Sequence, residues 1–262
     1  MLLCVAAQFL TRLPVPAIPR FEPRALADSA RYFPVVGVLV GALNVILWVG
    51  LVHVLPSPVA VGLMLALSLL LTGALHEDGF ADACDGFGGG RTREQVLAIM
   101  KDSRLGAYGA MGLVSLIGLK WTVLVEMPAR AVPVLLIGAH MWSRWCALGL
   151  IGRLRYVRDD DSAKSRPFAD GMSGAGWLLS GILGLLTFAL PAATALAFGY
   201  RLEARALVGA ALAAAAATLV FALYCRRRIG GYTGDCLGAA QQLAELVFLL
   251  AGLALVWPPM QV

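Results

Sequence analysis

Long apolar runs separated by short polar breaks set the pattern of the chain. The runs fall at roughly 34–54, 59–76, 105–125, 131–151, 175–195, 205–225 and 237–257. Each is close to the ~20 residues that carry a helix across a ~30 Å hydrocarbon layer. The breaks are rich in turn formers: Pro56-Ser57-Pro58, Met127-Pro128 and Gly199-Tyr200. Residues 1–12 make a shorter apolar helix, and Pro14, Pro16, Pro19 and Pro23 interrupt any helix over the following stretch. The pattern predicts an all-α, polytopic integral membrane protein with about seven transmembrane helices and a short N-terminal interfacial or re-entrant helix. No composition shift or repeat marks a second unit, so residues 1–262 are expected to form a single membrane-embedded domain.

Composition supports the membrane assignment. Of the 262 residues 60% are hydrophobic and 14% charged, against about 25% charged in soluble domains. Mean hydropathy is +0.79. The net charge of +5 then reflects topology and not affinity for nucleic acid. With the N-terminus inside, sixteen basic residues fall in inside segments, and three, Arg130, Arg201 and Arg205, fall outside. Lys120 and Arg144 lie within spans. Five scattered cysteines imply no disulfide framework and are compatible with a reducing compartment. The start, Met1 to Pro14, lacks the basic flank and small-residue cleavage site of a signal peptide. In this layout the polar segments 76–104, 152–174 and 226–236 share the cytoplasmic side. That describes a one-sided membrane enzyme better than a pore or carrier with polar groups at mid-membrane.

Candidate chemistry begins at His76-Glu77-Asp78-Gly79-Phe80-Ala81-Asp82-Ala83-Cys84-Asp85-Gly86. If this stretch is helical, Asp78, Asp82 and Asp85 lie at i, i+4 and i+7 on one face. Three like charges there call for a counter-ion, and oxygen-only donors suit Mg²⁺, or Mn²⁺, better than zinc. Glu77 lies off that face as a second-tier ligand, and His76 is as compatible with a boundary role as with a substrate contact. Gly88-Gly89-Gly90 reads as a flexible loop, and Thr92 as the N-cap of a helix starting near Arg93. Lys101 and Arg104 suit a phosphate or diphosphate, and Asp102 another metal ligand. Lys164 and Arg166 suit an anionic substrate as well as a basic flank, whereas Asp159-Asp160-Asp161 reads as a solvated turn. Gly230-Gly231-Tyr232-Thr233-Gly234-Asp235, entering the last span, implies backbone close against a ligand, with Thr233 and Asp235 its polar groups. Glu245, deep in that span, is costly unless functional, and Arg144 is its candidate partner. Taken together, these residues predict metal-assisted chemistry on a diphosphate. Asp82, Lys101, Arg104 and Asp235 carry it, while His76, Arg144, Lys164, Arg166, Thr233 and Glu245 contact substrate.

At these residues the chain resembles the adenosylcobinamide-GDP ribazoletransferase family, also called cobalamin 5′-phosphate synthase or CobS. The matching stretches are Gln8-Phe9-Leu10-Thr11-Arg12-Leu13-Pro14, His76 to Gly86, Met100-Lys101-Asp102-Ser103-Arg104-Leu105-Gly106 with Tyr108-Gly109, and Gly231 to Ala239. They cover essentially the whole chain. Phe80 stands where the family usually has Leu, and Cys84 and Cys236 replace small or hydroxyl residues. The resemblance implies that adenosylcobinamide-GDP and α-ribazole, or its 5′-phosphate, give adenosylcobalamin, or its 5′-phosphate, plus GMP in a Mg²⁺-dependent late step of cobalamin biosynthesis. It also implies a bacterial or archaeal cytoplasmic membrane with the site facing the cytoplasm, and association with other enzymes of the pathway. Two metal-dependent membrane transferases are the alternatives. A CDP-alcohol phosphatidyltransferase shares Asp78-Gly79 and Ala81 but needs arginine where Asp82 stands. A prenyltransferase needs a second Asp-rich motif on another helix. A non-catalytic transporter is the alternative outside enzymes.

Overall fold

The computed structural model describes residues 1–16, 23–158 and 171–257. Helix α1 (Leu2–Leu10) precedes α2 (Pro23–Ser29), which continues through one 3₁₀ turn into α3 (Phe33–Val52). Then come α4 (Ser57–Thr72), α5 (Leu75–Gly89), α6 (Arg93–Lys101), α7 (Ala107–Glu126) and α8 (Val132–Arg153). The last three are α9 (Gly174–Ala197), α10 (Arg201–Ile229) and α11 (Gly234–Val256). Six helical stretches are long and apolar enough to cross a membrane, and the bent pair α4–α5 makes a seventh candidate. Large apolar side chains such as Ile46, Val114, Leu185, Leu212 and Val220 are exposed on these helices. Such faces need a bilayer to cover them, so the chain is a multi-pass membrane protein.

Helix α8 is the central post, buried at both ends and in the middle. Helix α3 packs closely on it because Gly41 has no side chain: a Cβ there would come within 2.8 Å of the Ile137 Cα. Helix α11 packs against α8, α10 and α5. At one end of the bundle, three connections are tied together. Arg93 donates to the Ile229 carbonyl (2.9 Å) and Arg228 to the Gly90 carbonyl (2.7 Å). The Tyr232 N–H donates to the Arg155 carbonyl (2.9 Å), and the Val157 N–H to the Tyr232 carbonyl (3.0 Å). An Arg130–Glu203 ion pair (2.7 Å) joins the α7–α8 connection to the first turn of α10, which the sequence places together on the other side.

Two sequence expectations are corrected. The apolar run at 59–76 is not one straight helix: it ends at Thr72, and α5 leaves at 92° to α4. The bend falls on Gly73 and Ala74, both left-handed (φ +64° and +52°), a conformation that stops a right-handed helix. Nor is the triple glycine a flexible loop. Gly88 and Gly89 belong to α5, Gly90 caps it, and Gly88 packs against the Tyr108 ring. The short helix expected after Thr92 is present as α6 with a full capping box. Thr92 Oγ1 accepts from the Gln95 N–H (3.3 Å), and Gln95 Oε1 accepts from the Thr92 N–H (3.3 Å). Thr92→Ala should therefore destabilise this end of the fold by about 1 kcal/mol, read as a lower thermal midpoint in detergent.

Candidate active site

Helix α5 runs without a break through the acidic stretch, so Asp78 and Asp82 lie one turn apart. Gly79, between them, lets α11 approach: a Cβ on Gly79 would stand 3.1 Å from the Asp235 Cα. The contact is reciprocal, since a Cβ on Gly238 would meet the His76 carbonyl at 3.0 Å. Two glycines thus bring Asp235, in the first turn of α11, to Asp78 and Asp82. Thr233 N-caps α11, accepting from the Cys236 N–H (3.3 Å), and its hydroxyl donates to Asp235 Oδ2 (3.3 Å). Arg158 approaches the same oxygen at 3.5 Å.

Thr233, expected to contact substrate, is buried behind this capping role and does not line the site; Asp78, Asp82, Asp235 and Arg158 line one cleft of about 560 Å³. Its polar side carries Asp78, Asp82 and Asp235, with Lys101 and Asp102 from the end of α6 and Arg158 from the segment after α8. Its apolar side is formed by Phe9, Leu10, Phe33, Ala147, Leu148 and Ile151. His76, Arg144 and Gln241 also line it. Below lies a small cavity of about 30 Å³, shared through His76 and Arg144 and lined by Glu77, Lys120, His140, Gln242 and Glu245.

Other sequence-derived candidates go elsewhere. Asp85 is buried, and its oxygens accept the Gly106 and Gly109 N–H groups at 2.8 Å each. Those donors open α7, so the carboxylate is spent on a helix N-terminus and does not line the cleft. Glu77 lines the small cavity and takes a 2.8 Å hydrogen bond from Gln242. Arg104 points outward and clamps Asp102 through its Nε at 3.0 Å. Hydrogen bonds from that guanidinium hold the Asp102 carboxyl down at about 2, so it stays an ionised partner of Arg104. Glu245 is paired with Lys120 of α7 (2.6 Å) and His140 of α8 (3.1 Å), while Arg144 Nη1 donates to the His140 carbonyl (2.8 Å). The expected Glu245–Arg144 pairing is thus replaced by Lys120. Lys164, Arg166 and the run 159–161 lie outside the described residues. Sequence reasoning passed over Arg158, counted only as a basic flank, and Gln241-Gln242. Two adjacent amides inside an apolar span were the available signal.

Among the described residues, no three His, Cys, Asp or Glu side chains converge to cage a metal ion by themselves. The donor chemistry still suits a hard cation. Mg²⁺ typically takes one or two carboxylates and completes its shell with water and substrate phosphate, and Asp78 with Asp82 offers such a pair.

The chain matches the family model described as Cobalamin-5-phosphate synthase over residues 2–253. It is 45% identical over 258 residues to an adenosylcobinamide-GDP ribazoletransferase of Leptothrix cholodnii, covering 97% of this chain and 95% of the relative. The proteins of the same name from Shewanella frigidimarina and Vibrio cholerae are 43% and 40% identical. Coverage is 95% of this chain and 94% of the relative in the first case, and 97% and 93% in the second. No solved structure matches.

Proposed function

The chain belongs to the cobalamin-5-phosphate synthase family and acts as a transferase of cobalamin biosynthesis, and we propose that its reaction runs in the cleft between α5 and α11. The substrates are adenosylcobinamide-GDP and α-ribazole or its 5′-phosphate, and GMP is released. One observation carries the reading. Three carboxylates from two helices, Asp78, Asp82 and Asp235, share a single cleft with Lys101, Arg144 and Arg158. Acidic groups alone would repel a diphosphate; acidic and basic groups on one wall suit a diphosphate that arrives with a cation.

The α-ribazole hydroxyl attacks the cobinamide-side phosphorus. A new P–O bond forms, the P–O bond to the guanylate phosphate breaks, and GMP leaves. Asp235, oriented by Thr233 and Arg158, accepts the hydroxyl proton. Lys101 and Arg158 balance charge on the phosphoryl oxygens. Asp78 and Asp82 would hold Mg²⁺, or Mn²⁺, which supplies charge neutralisation on the diphosphate. The apolar wall from α1, α3 and α8 excludes water, limiting hydrolysis of the diphosphate. The cleft lies at the end of the bundle where the basic residues collect, which supports a site facing the cytoplasm of a bacterial inner membrane.

Purified protein in detergent or nanodiscs, given adenosylcobinamide-GDP, α-ribazole and Mg²⁺, should release GMP and form the cobalamin product. Absence of both from folded wild-type protein would sink the proposal. Chelation with EDTA should stop GMP release and added Mg²⁺ should restore it. Undiminished turnover in chelator would remove the metal from the mechanism.

A further inference from the structure

Two polar atoms at the inner end of the cleft have no hydrogen-bond partner among the described residues: Arg144 Nε and Gln241 Oε1. Both side chains line the cleft, at 2% and 1% exposure. Arg144 Nη1 donates to the His140 carbonyl, and Gln241 Nε2 donates to Ser143 Oγ (2.9 Å) and Glu245 Oε2 (2.7 Å). The Gln241 amide is thereby fixed with its nitrogen turned to Glu245 and its oxygen left as an acceptor. Buried polar groups are rarely left unpaired, so a leftover donor and a leftover acceptor at the floor of a cleft ask for a ligand that has both.

Resting on the reading of the cleft as the transfer site, we propose that this floor recognises the guanine base. Adenosylcobinamide-GDP then enters nucleotide first and leaves its corrin ring at the mouth. Three considerations select this group. Guanine presents acceptors at O6 and N7 and donors at its N1 and 2-amino groups, so it satisfies Arg144 and Gln241 together; the adenine of the adenosyl group also offers an acceptor and a donor, but it is carried on the corrin ring, which stays at the mouth. The benzimidazole base of α-ribazole has a ring-nitrogen acceptor and no N–H, so it would leave Gln241 Oε1 unpaired. Depth agrees as well: Asp235 and Gln241 are six residues apart on α11, which at 1.5 Å per residue is about 9 Å, the scale on which a nucleotide separates its phosphate from its base. Finally, a cleft of about 560 Å³ lies in the ~300–1,000 Å³ range of sites for drug-sized ligands. It takes a nucleotide but not a corrin macrocycle with its peripheral amides.

Displacement of a fluorescent GDP from the full-length protein in detergent tests this directly. GMP should compete at least about tenfold better than AMP, whose donor and acceptor are exchanged, with IMP, lacking the 2-amino group, between them. Equal competition by AMP would overturn the proposal without any variant being made. Gln241→Met, close in shape and unable to accept strongly, should bring GMP and AMP to within about threefold while leaving α-ribazole affinity unmoved. A folded variant that keeps the full guanine preference also overturns it. GMP release by wild type separates the two levels. Turnover without guanine preference removes only this floor, whereas guanine preference without turnover removes the transferase reading.

Discussion

Asp82→Ala should lower GMP release by about three orders of magnitude, the scale lost when a group stabilising transition-state charge is removed. Asp82 is half-buried on α5, one turn from Asp78 and across the α5–α11 contact from Asp235. It is the carboxylate through which a cation would reach both α5 and the diphosphate. Among the described residues, Asp82 makes no hydrogen bond or ion pair that contributes to packing, and Asp78 and Asp235 repel it. Removing it should therefore leave the metal-free protein inserted and at least as stable as wild type, a stability–activity trade-off at a site built for function. Turnover and a thermal melt in detergent check both halves. Near-normal turnover would take Asp82 out of the site, and a collapsed melt would make its role structural.

Glu245→Gln and Lys120→Met should each cost about 3–5 kcal/mol of stability, because each leaves its partner as an uncompensated charge in the bundle interior. Both side chains are 6% exposed and meet at 2.6 Å. Around them Gln241, Gln242 and His140 complete the hydrogen bonds that make such a pair tolerable. The double variant Lys120→Met with Glu245→Met should recover much of that loss, since a buried ion pair replaced by apolar groups of similar size is often neutral. A thermal or denaturant series in detergent would report it. Single variants within 1 kcal/mol of wild type would mean that water reaches the pair. Gln241 links this network to the cleft floor, so Glu245→Gln should also weaken guanine discrimination, which loss of a remote packing contact would not.

The acidic wall of the cleft was the most legible part of the chain. Helical spacing is a local property, so Asp78 and Asp82 could be placed on one face from sequence alone, and the N-cap at Thr92 from its flanking residues. The membrane assignment and the family resemblance were equally available, because hydropathy and contiguous motifs do not depend on how helices are turned against one another. Asp85 shows where locality ends. It shares that spacing, but its fate was set by the N-terminus of α7 meeting it through Gly106 and Gly109. The same holds for Glu245, whose partner Lys120 lies 125 residues away on another helix. Helix depth and rotation decide such pairings. Here they follow from the close glycine contacts of α5 with α11 and of α3 with α8, which no single stretch of sequence records. The sequence therefore determined which residues can do chemistry and on which side they collect. Tertiary packing decided which of them face one another, since opposition across a cleft is a property of two helices and spacing a property of one.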